Sequence, residues 1–400
     1  MPHQLTASPA ETDPTRRPST TWTVECEKPV RYQVAVTPGV LDPDNPALLR
    51  AGASPDRESL RRFVVVDATV DLLYGERIRA YLKHHAVDHH IHVVESTEQN
   101  KNPATVLGII ERLDEFGIDR RREPIIGIGG GVLLDIVGLA GSLYRRKTPY
   151  VRVPTTLIGI VDAGVGAKTG VNFGRHKNRI GSYEPPAVAL LDRSFVATQE
   201  PREVSNGLAE ILKIGLVKDR ALFELLEEHG ARLLAERLQG ESPQSESAAR
   251  EVLRRAVHGM LEELQPNLWE ARLERLVDYG HSFGPALEMA ALPGLLHGES
   301  VAVDMALTTV LGLHRGLVST RDTERVLRVM RSLGLPTYHP LLATGLPVEA
   351  LAETTRHRDG VQRLPLPFGI GAATFVNDLT SAEIELAVAE LAALTEAGDA

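Results

Sequence analysis

Two histidines beside glycines stand out as groups able to do chemistry: His281 in Tyr279-Gly280-His281 and His297 in His297-Gly298-Glu299. A neighbouring glycine lets the backbone turn and aim an imidazole. With the carboxylate of Glu210 they would supply two neutral nitrogens and one oxygen, the donor set of a zinc-type centre with a position open to a substrate oxygen. Spacing alone does not dictate such a centre, because the three residues lie far apart in the chain, unlike a compact HExxH. Glu210 and Lys213, three apart in an expected helix, share one face, which equally describes an exposed ion pair. The densest histidine run, His84, His85, His89, His90 and His92, falls where a helix ends and a strand begins. It has no acidic or cysteine partner at ligand spacing and reads as ordinary structure.

A second group of residues suits a phosphorylated ligand. Gly129-Gly130-Gly131 follows an apolar strand and opens a helix, so backbone amides and the helix N-terminus could meet a pyrophosphate, although a plain strand-to-helix turn uses the same residues. Asp67 ends Phe63-Val64-Val65-Val66, where a carboxylate could accept ribose hydroxyls or simply cap a helix. From Val153-Pro154-Thr155-Thr156 through Asp162, Lys168, Lys177 and Asn178, hydroxyls, a carboxylate, two ammonium groups and an amide are set among glycines. That mixture suits a phosphorylated, polyhydroxylated substrate.

The elements that must hold these groups follow from periodicity. Strands are expected at Arg31–Val36, Phe63–Val66, His90–Val94 and Pro124–Ile128, and helices at Glu76–His85, Ala104–Phe116 and from Val132, the rhythm of a parallel sheet with crossover helices. Beyond about Glu200 helical spacing takes over: Val204–Leu216, Arg220–Glu236, Ser247–Glu263, Gly280–Ala290, His297–Leu313, Asp322–Leu333 and Ser381–Leu394. Gly240–Ser247 reads as a loop. The expected plan is a proline-rich, solvated tail over residues 1–20, an α/β domain over 21–199 and a mostly α-helical domain over 200–400.

Composition narrows the partners. The 400-residue chain carries a net charge of -9, with 43% hydrophobic and 24% charged residues, ordinary for a packed globular protein. The acidic balance argues against a general nucleic-acid or anionic-membrane binder. Cys26 is the single cysteine, so no internal disulfide forms. Pro124–Tyr144 is apolar but interrupted by Asp135 and the glycine run, and no targeting segment is visible, so a cytoplasmic protein is expected.

Taken together, Gly129-Gly130-Gly131-Val132 through Asp135, Val153-Pro154-Thr155-Thr156, Asp162 through Gly166-Ala167-Lys168-Thr169-Gly170, His176-Lys177-Asn178, Gly207-Leu208-Ala209-Glu210-Ile211-Leu212-Lys213, Gly280-His281-Ser282 and Leu296-His297-Gly298-Glu299 resemble the sugar phosphate cyclases of the dehydroquinate synthase-like superfamily. The likeness runs from about residue 60 to 380 in unbroken order. It implies an NAD-binding α/β domain with a parallel sheet, a helical domain, a cleft between them and a homodimer. Carried over position by position, it implies Glu210, His281 and His297 as ligands of a divalent metal, Zn2+ or Co2+. Asp67, Glu98, Lys101, Gly130, Gly131, Val132, Asp135, Thr155, Thr156, Lys177, Phe195 and Thr198 resemble NAD+ contacts. Asp162, Lys168, Asn178 and Lys213 resemble substrate contacts, Arg146 a phosphate contact reaching in from the partner subunit, and Glu270 a proton-accepting glutamate.

The departures point to a branch. Where dehydroquinate synthase has Asn, His and an upstream Arg, this chain has Asp278, Pro285 and Glu274. An added anion and a lost cation would disfavour a carboxylate-bearing substrate. Asp278 and Pro285, with Asn267-Leu268-Trp269-Glu270 upstream, resemble the branch that cyclises sedoheptulose 7-phosphate to an epi-valiolone, a C7-cyclitol of antibiotic-type secondary metabolism. The epimer stays open, as does the proton carrier among Glu270, Asp278 and the departing phosphate. Arg356, Arg358 and Arg363 lie where the family supplies a further basic residue. The implied reaction is transient oxidation by NAD+, β-elimination of phosphate, return of the hydride and intramolecular aldol closure. Alternatives are 3-dehydroquinate synthase, another sedoheptulose 7-phosphate cyclase making 2-epi-valiolone or desmethyl-4-deoxygadusol, a metal-dependent glycerol-type dehydrogenase, and a non-catalytic binding protein of the same fold.

Overall fold

Continuous apolar runs become the inner strands of a parallel sheet, because crossover helices cover both of its faces. In a computed structural model of the protein, residues 6–9, 20–26, 28–52, 61–174 and 176–399 are described. The chain forms two compact units, Met1–Tyr32 and Gln33–Ala400. In the first, β1 (Thr6–Pro9) pairs antiparallel with β2 (Thr20–Thr23). The rest of the stretch expected as a tail, residues 1–5 and 10–19, lies outside the described residues.

In the second unit the strands are β3 (Gln33–Val36), β4 (Arg61–Asp67), β5 (Asp88–Val94), β6 (Ile125–Gly129), β7 (Tyr150–Pro154), the hairpin strands β8 (Lys168–Phe173) and β9 (His176–Tyr183), and β10 (Val188–Leu191). Six of them form a sheet in the order β3-β10-β7-β6-β4-β5, with every pairing parallel. The helices of this half are α1 (Ala47–Arg50), α2 (Ala68–His84), α3 (Pro103–Phe116) and α4 (Gly131–Leu143). Successive side chains of β4 point to opposite faces. Val64 and Val66 therefore join Ile78 and Tyr81 of α2, while Phe63 and Val65 join Ile109 and Leu113 of α3 and Ile136 of α4.

From Pro201 onward the chain is helical apart from one small hairpin. It contains α5 (Pro201–Val217), α6 (Arg220–Ala235), α7 (Pro243–Leu264), α8 (Gly284–Ala291), α9 (His297–His314), α10 (Thr320–Ser332), α11 (Leu346–His357), the strands β11 (Leu364–Pro367) and β12 (Ala373–Val376), and α12 (Ser381–Asp399). A third apolar cluster draws on α5 and α9, whose buried residues include Leu208, Ile211, Val303 and Met305. No described helix is long and apolar enough to cross a membrane.

Several boundaries depart from the periodicity for local reasons. Helix α2 starts at Ala68 rather than Glu76 because Asp67 caps it, accepting from the amides of Thr69 and Val70. Helix α7 starts at Pro243 rather than Ser247, with proline in the first turn and a Ser242–Ser245 capping box, which shortens the expected loop. The expected helix from Gly280 begins only at Gly284: Gly280 has φ +76 and the stretch before α8 is turn. Strand β3 starts at Gln33 rather than Arg31. Strands β1 and β2, the first of them inside the stretch expected as a tail, strands β7 to β12, and helices α1 and α11 had no counterpart among the expected elements.

Candidate active site

Helices α5 and α9 meet backbone to backbone. A Cβ at Gly298 would overlap the Asn206 carbonyl oxygen, and the Asn206 side chain accepts the Gly298 amide. This seats His297, the first residue of α9, opposite α5 one turn beyond Asn206, where Glu210 projects. His281 arrives from the turn before α8. Its Nε2 lies 3.9 Å from Glu210 Oε1, and His297 Nε2 lies 3.4 Å from the same oxygen. One ligand atom from each of the three residues falls within 4.8 Å of the others, the only such group among the described residues.

The second nitrogen of each ring is already engaged. His281 Nδ1 lies 3.1 Å from the Tyr279 carbonyl oxygen and His297 Nδ1 lies 3.0 Å from Glu288 Oε2. Donation from each Nδ1–H would leave the Nε2 lone pair free to face a cation, the outer-shell arrangement of metal-binding histidines. Glu210 Oε1 is buried without a hydrogen-bond partner, which inside a protein demands a cation or a proton. Donor set, tautomers and orphaned oxygen all fit a divalent metal with nitrogen and oxygen ligands.

Charge in this cup is tightly linked. Lys213, on α5, pairs with Glu210 Oε2, and both are buried. Burial alone would raise the Glu210 carboxyl, but Lys213 and the two histidines hold it well below the usual carboxylate range. Burial, then Glu210, pushes Asp162 up. Burial and Lys213 lower His281 to about 4. Burial would also lower His297, yet Glu210 and Glu288 outweigh it and raise that ring to about 10.

Beside the cup runs a row of alternating charges. Lys168 pairs with Glu270, which also meets Arg275. Arg275 Nε donates to Asp278 Oδ2 at 3.1 Å, and Arg358 Nη2 donates to the same oxygen at 2.9 Å. Asp278 is thus a buried carboxylate held between two guanidiniums, which accounts for Arg358. Glu274 is exposed, so the inference that this turn loses its cation needs correction: Arg275, one residue on, supplies it. Arg363 donates to the Arg358 carbonyl, supporting the same turn.

The expected dinucleotide contacts gather at the carboxyl ends of neighbouring strands, where open α/β sheets bind ligands. Asp67 ends β4, Gly129 ends β6, and Thr155 and Thr156 follow β7. Helix α4 begins at Gly131 with Gly130 as N-cap and no side-chain cap, leaving its first amides, Val132 among them, without intrahelical partners. These features fit a dinucleotide pyrophosphate. Asp135, one turn in, pairs with Lys101 at 2.7 Å, and Lys101 also donates to Asn178 Oδ1 at 2.7 Å. Lys177 lies 3.7 Å from Glu98 and pairs with Glu288. Thr198 hydrogen-bonds Tyr74 at 3.0 Å, and Phe195 is buried edge-on against Tyr74. Arg146 is exposed on a turn where Arg145, Arg146 and Lys147 all have positive φ.

Sequence reasoning missed three supporting residues. Glu288 has just been placed. Arg152 is fully buried, and its guanidinium donates to the carbonyls of Ala163 and Gly166 at 2.9 and 2.6 Å and of Lys168 at 2.8 Å. It ties down the loop that carries Asp162, whose start at Gly159–Ala163 is a π-helical turn. The available signal was a lone charge inside the apolar run of β7. Arg275 lies between two acids in the sequence, and nothing in its spacing marked it.

A parallel sheet ending in an uncapped glycine turn, set beside a helical half that builds a Glu-His-His cup, fits an enzyme that holds a dinucleotide and a divalent metal. Comparison with known proteins agrees: the family models described as 3-dehydroquinate synthase N-terminal and C-terminal match residues 91–206 and 207–358. The chain belongs to the dehydroquinate synthase-like sugar phosphate cyclases. It is 61% identical over 91% of its length to a 2-epi-5-epi-valiolone synthase of Actinomyces sp, covering 95% of that protein. It is 58% identical over 92% of its length to the 2-epi-5-epi-valiolone synthase of Streptomyces albus, covering 89% of it. The solved structure of ValA, the 2-epi-5-epi-valiolone synthase of Streptomyces hygroscopicus subsp. jinggangensis with NAD+ and Zn2+ bound, is 56% identical and superposes with TM-score 0.87, covering 93% of this chain and 100% of that one.

Proposed function

We propose that this chain converts sedoheptulose 7-phosphate to 2-epi-5-epi-valiolone with release of phosphate, as a cytoplasmic homodimer that binds NAD+ and one Zn2+ or Co2+ ion. The observation that carries the reading is the convergence of Glu210, His281 and His297 on one point, in a chain so similar along its length to synthases of that name. When bound, NAD+ supplies reversible hydride acceptance and the cation supplies polarisation of a substrate oxygen. Glu210, His281 and His297 hold the metal. The α4 N-terminus with Gly130, Gly131 and Val132, and Asp67, Glu98, Lys101, Asp135, Thr155, Thr156, Lys177, Phe195 and Thr198 around it, holds and backs the dinucleotide.

The remaining side chains orient the sugar phosphate. Asp162, Asn178 and Lys213 hydrogen-bond its hydroxyls beside the cup, and Lys168 offsets phosphate charge as the ester leaves. Arg146 of the partner subunit completes the phosphate site, which suits its exposure and its turn of three left-handed residues, a strained geometry typical of functional turns. Glu270, whose Oε2 accepts a hydrogen bond from Tyr183 at 3.0 Å, Asp278 and the departing phosphate are the proposed proton carriers during elimination and ring closure. The helical half from about Glu200 carries the metal, the sheet half carries the dinucleotide, and the substrate contacts are divided between them.

The test is to incubate metal-loaded protein with sedoheptulose 7-phosphate and a catalytic amount of NAD+. One phosphate per cyclitol is expected, with the product identified by NMR and no net NADH. Stoichiometric NADH without phosphate would mark a dehydrogenase instead. Consumption of only 3-deoxy-arabino-heptulosonate 7-phosphate would return the chain to dehydroquinate synthesis.

A further inference from the structure

Glu288 is a buried carboxylate with two partners and no place in the reaction so far described. It lies on α8, and its exposure is 7%. One oxygen, Oε2, is 3.0 Å from His297 Nδ1, and the other pairs with Lys177 Nζ on β9. Burying a carboxylate is costly unless charged donors satisfy it.

The surroundings hold Glu288 in place. Helix α8 is clamped at its start by Asp304 of α9, whose Oδ2 accepts the amides of Phe283 at 2.6 Å and Gly284 at 2.8 Å. Asp304 lies two turns along α9 from His297, so α8 is pinned to one side of α9 at both points: backbone to Asp304, and Glu288 to the ring of His297. On the other side, the hairpin of β8 and β9 presents Lys177 next to Asn178, which is tied to Lys101 and, through its backbone amide, to Asn172 Oδ1 at 2.9 Å. Glu288 is therefore the side chain that joins a metal-cup imidazole to the hairpin.

We propose that Glu288 is a positioning residue with two linked tasks. It accepts the Nδ1–H of His297, fixing the tautomer whose Nε2 faces the cation. It also anchors Lys177, so that metal binding and dinucleotide binding favour each other. This inference rests on the metal and NAD+ sites proposed above. Reciprocity follows: if Zn2+ tightens NAD+ binding by some factor, NAD+ tightens Zn2+ binding by the same factor.

The test compares wild-type protein with Glu288→Gln, which keeps shape and an acceptor oxygen but loses charge, and with Glu288→Ala. Zn2+ affinity is read by chelator competition with and without NAD+, and the Co2+-loaded proteins are compared by their visible d–d absorption. Glu288→Gln is expected to weaken Zn2+ binding about 10-fold and Glu288→Ala about 100-fold, with an altered Co2+ band. Either variant should also lose the mutual tightening between Zn2+ and NAD+. Wild-type Zn2+ affinity, coupling and Co2+ spectrum in both variants overturn the role of Glu288 alone. A wild-type protein that takes up no stoichiometric Zn2+ overturns the site itself, and this inference with it.

Discussion

The Glu-His-His cup and the hairpin that carries Lys168 hold similar charges but are built in opposite ways. In the cup, the Lys213 and Glu210 side chains are 2% and 1% exposed and share one turn of α5. On the hairpin side, Lys168 is 60% exposed and leans on Glu270. A buried pair cannot exchange partners cheaply, whereas an exposed one can. The Glu210–Lys213 pair is thus fixed within its helix, whereas Lys168 can exchange Glu270 for another anion, the phosphate of the proposed substrate included.

The sharpest way to break this contrast is to remove a cup ligand. His297→Ala should lower kcat by roughly a thousandfold, the equivalent of several kcal/mol of lost transition-state polarisation, and should abolish stoichiometric metal by elemental analysis. Full activity with an empty centre would refute the cup. Lys213→Met should destabilise the metal-free protein by about 3–5 kcal/mol in urea unfolding, because it strands the Glu210 carboxylate. A loss below about 1 kcal/mol would place that pair with ordinary surface bridges.

A third prediction concerns the clamp that holds the cup. Burial pushes Asp304 up to about 6 against the pull of the Phe283 and Gly284 amides. The folded protein then binds a proton more tightly than the unfolded chain, so stability should fall as pH rises from about 4 to about 6 and level off above. The drop is about 3 kcal/mol for a shift of that size. Asp304→Asn should flatten it, and wild-type and variant curves that run parallel over that range would show that Asp304 does not titrate as described. The smallest effect belongs to the hairpin: Lys168→Met should change stability by less than about 1 kcal/mol while raising KM for the sugar phosphate. An unfolding penalty as large as that of Lys213→Met would erase the contrast.

Much of this was legible in the chain because it depends on local chemistry. The apolar run Phe63–Val66, the glycine turn at 129–131 and the helical spacing around Glu210 each follow from periodicity or backbone freedom. The alternation of β4 between two cores is the same rule observed in three dimensions. What stayed hidden depends on contacts between distant segments. Arg152 tethers a loop through carbonyls, which no side-chain pattern records. Glu288 is joined to Lys177, 111 residues away, and Asp278 to Arg358, eighty residues away. Gly298 was legible as backbone freedom beside His297, but its close approach to Asn206 was not. Histidines 84 to 92, the densest cluster in the chain, pack instead as structure, with His90 stacked on Phe63 at 5.2 Å.

The central claim is that three side chains brought together from two helices and a turn hold a single cation. Anomalous diffraction from Zn2+-loaded crystals tests it most directly. The account predicts one peak within about 2.0–2.2 Å of a Glu210 oxygen and of Nε2 on both His281 and His297. A zinc peak elsewhere, among the histidines of residues 84–92 for example, with the Glu210 cup empty, would contradict it.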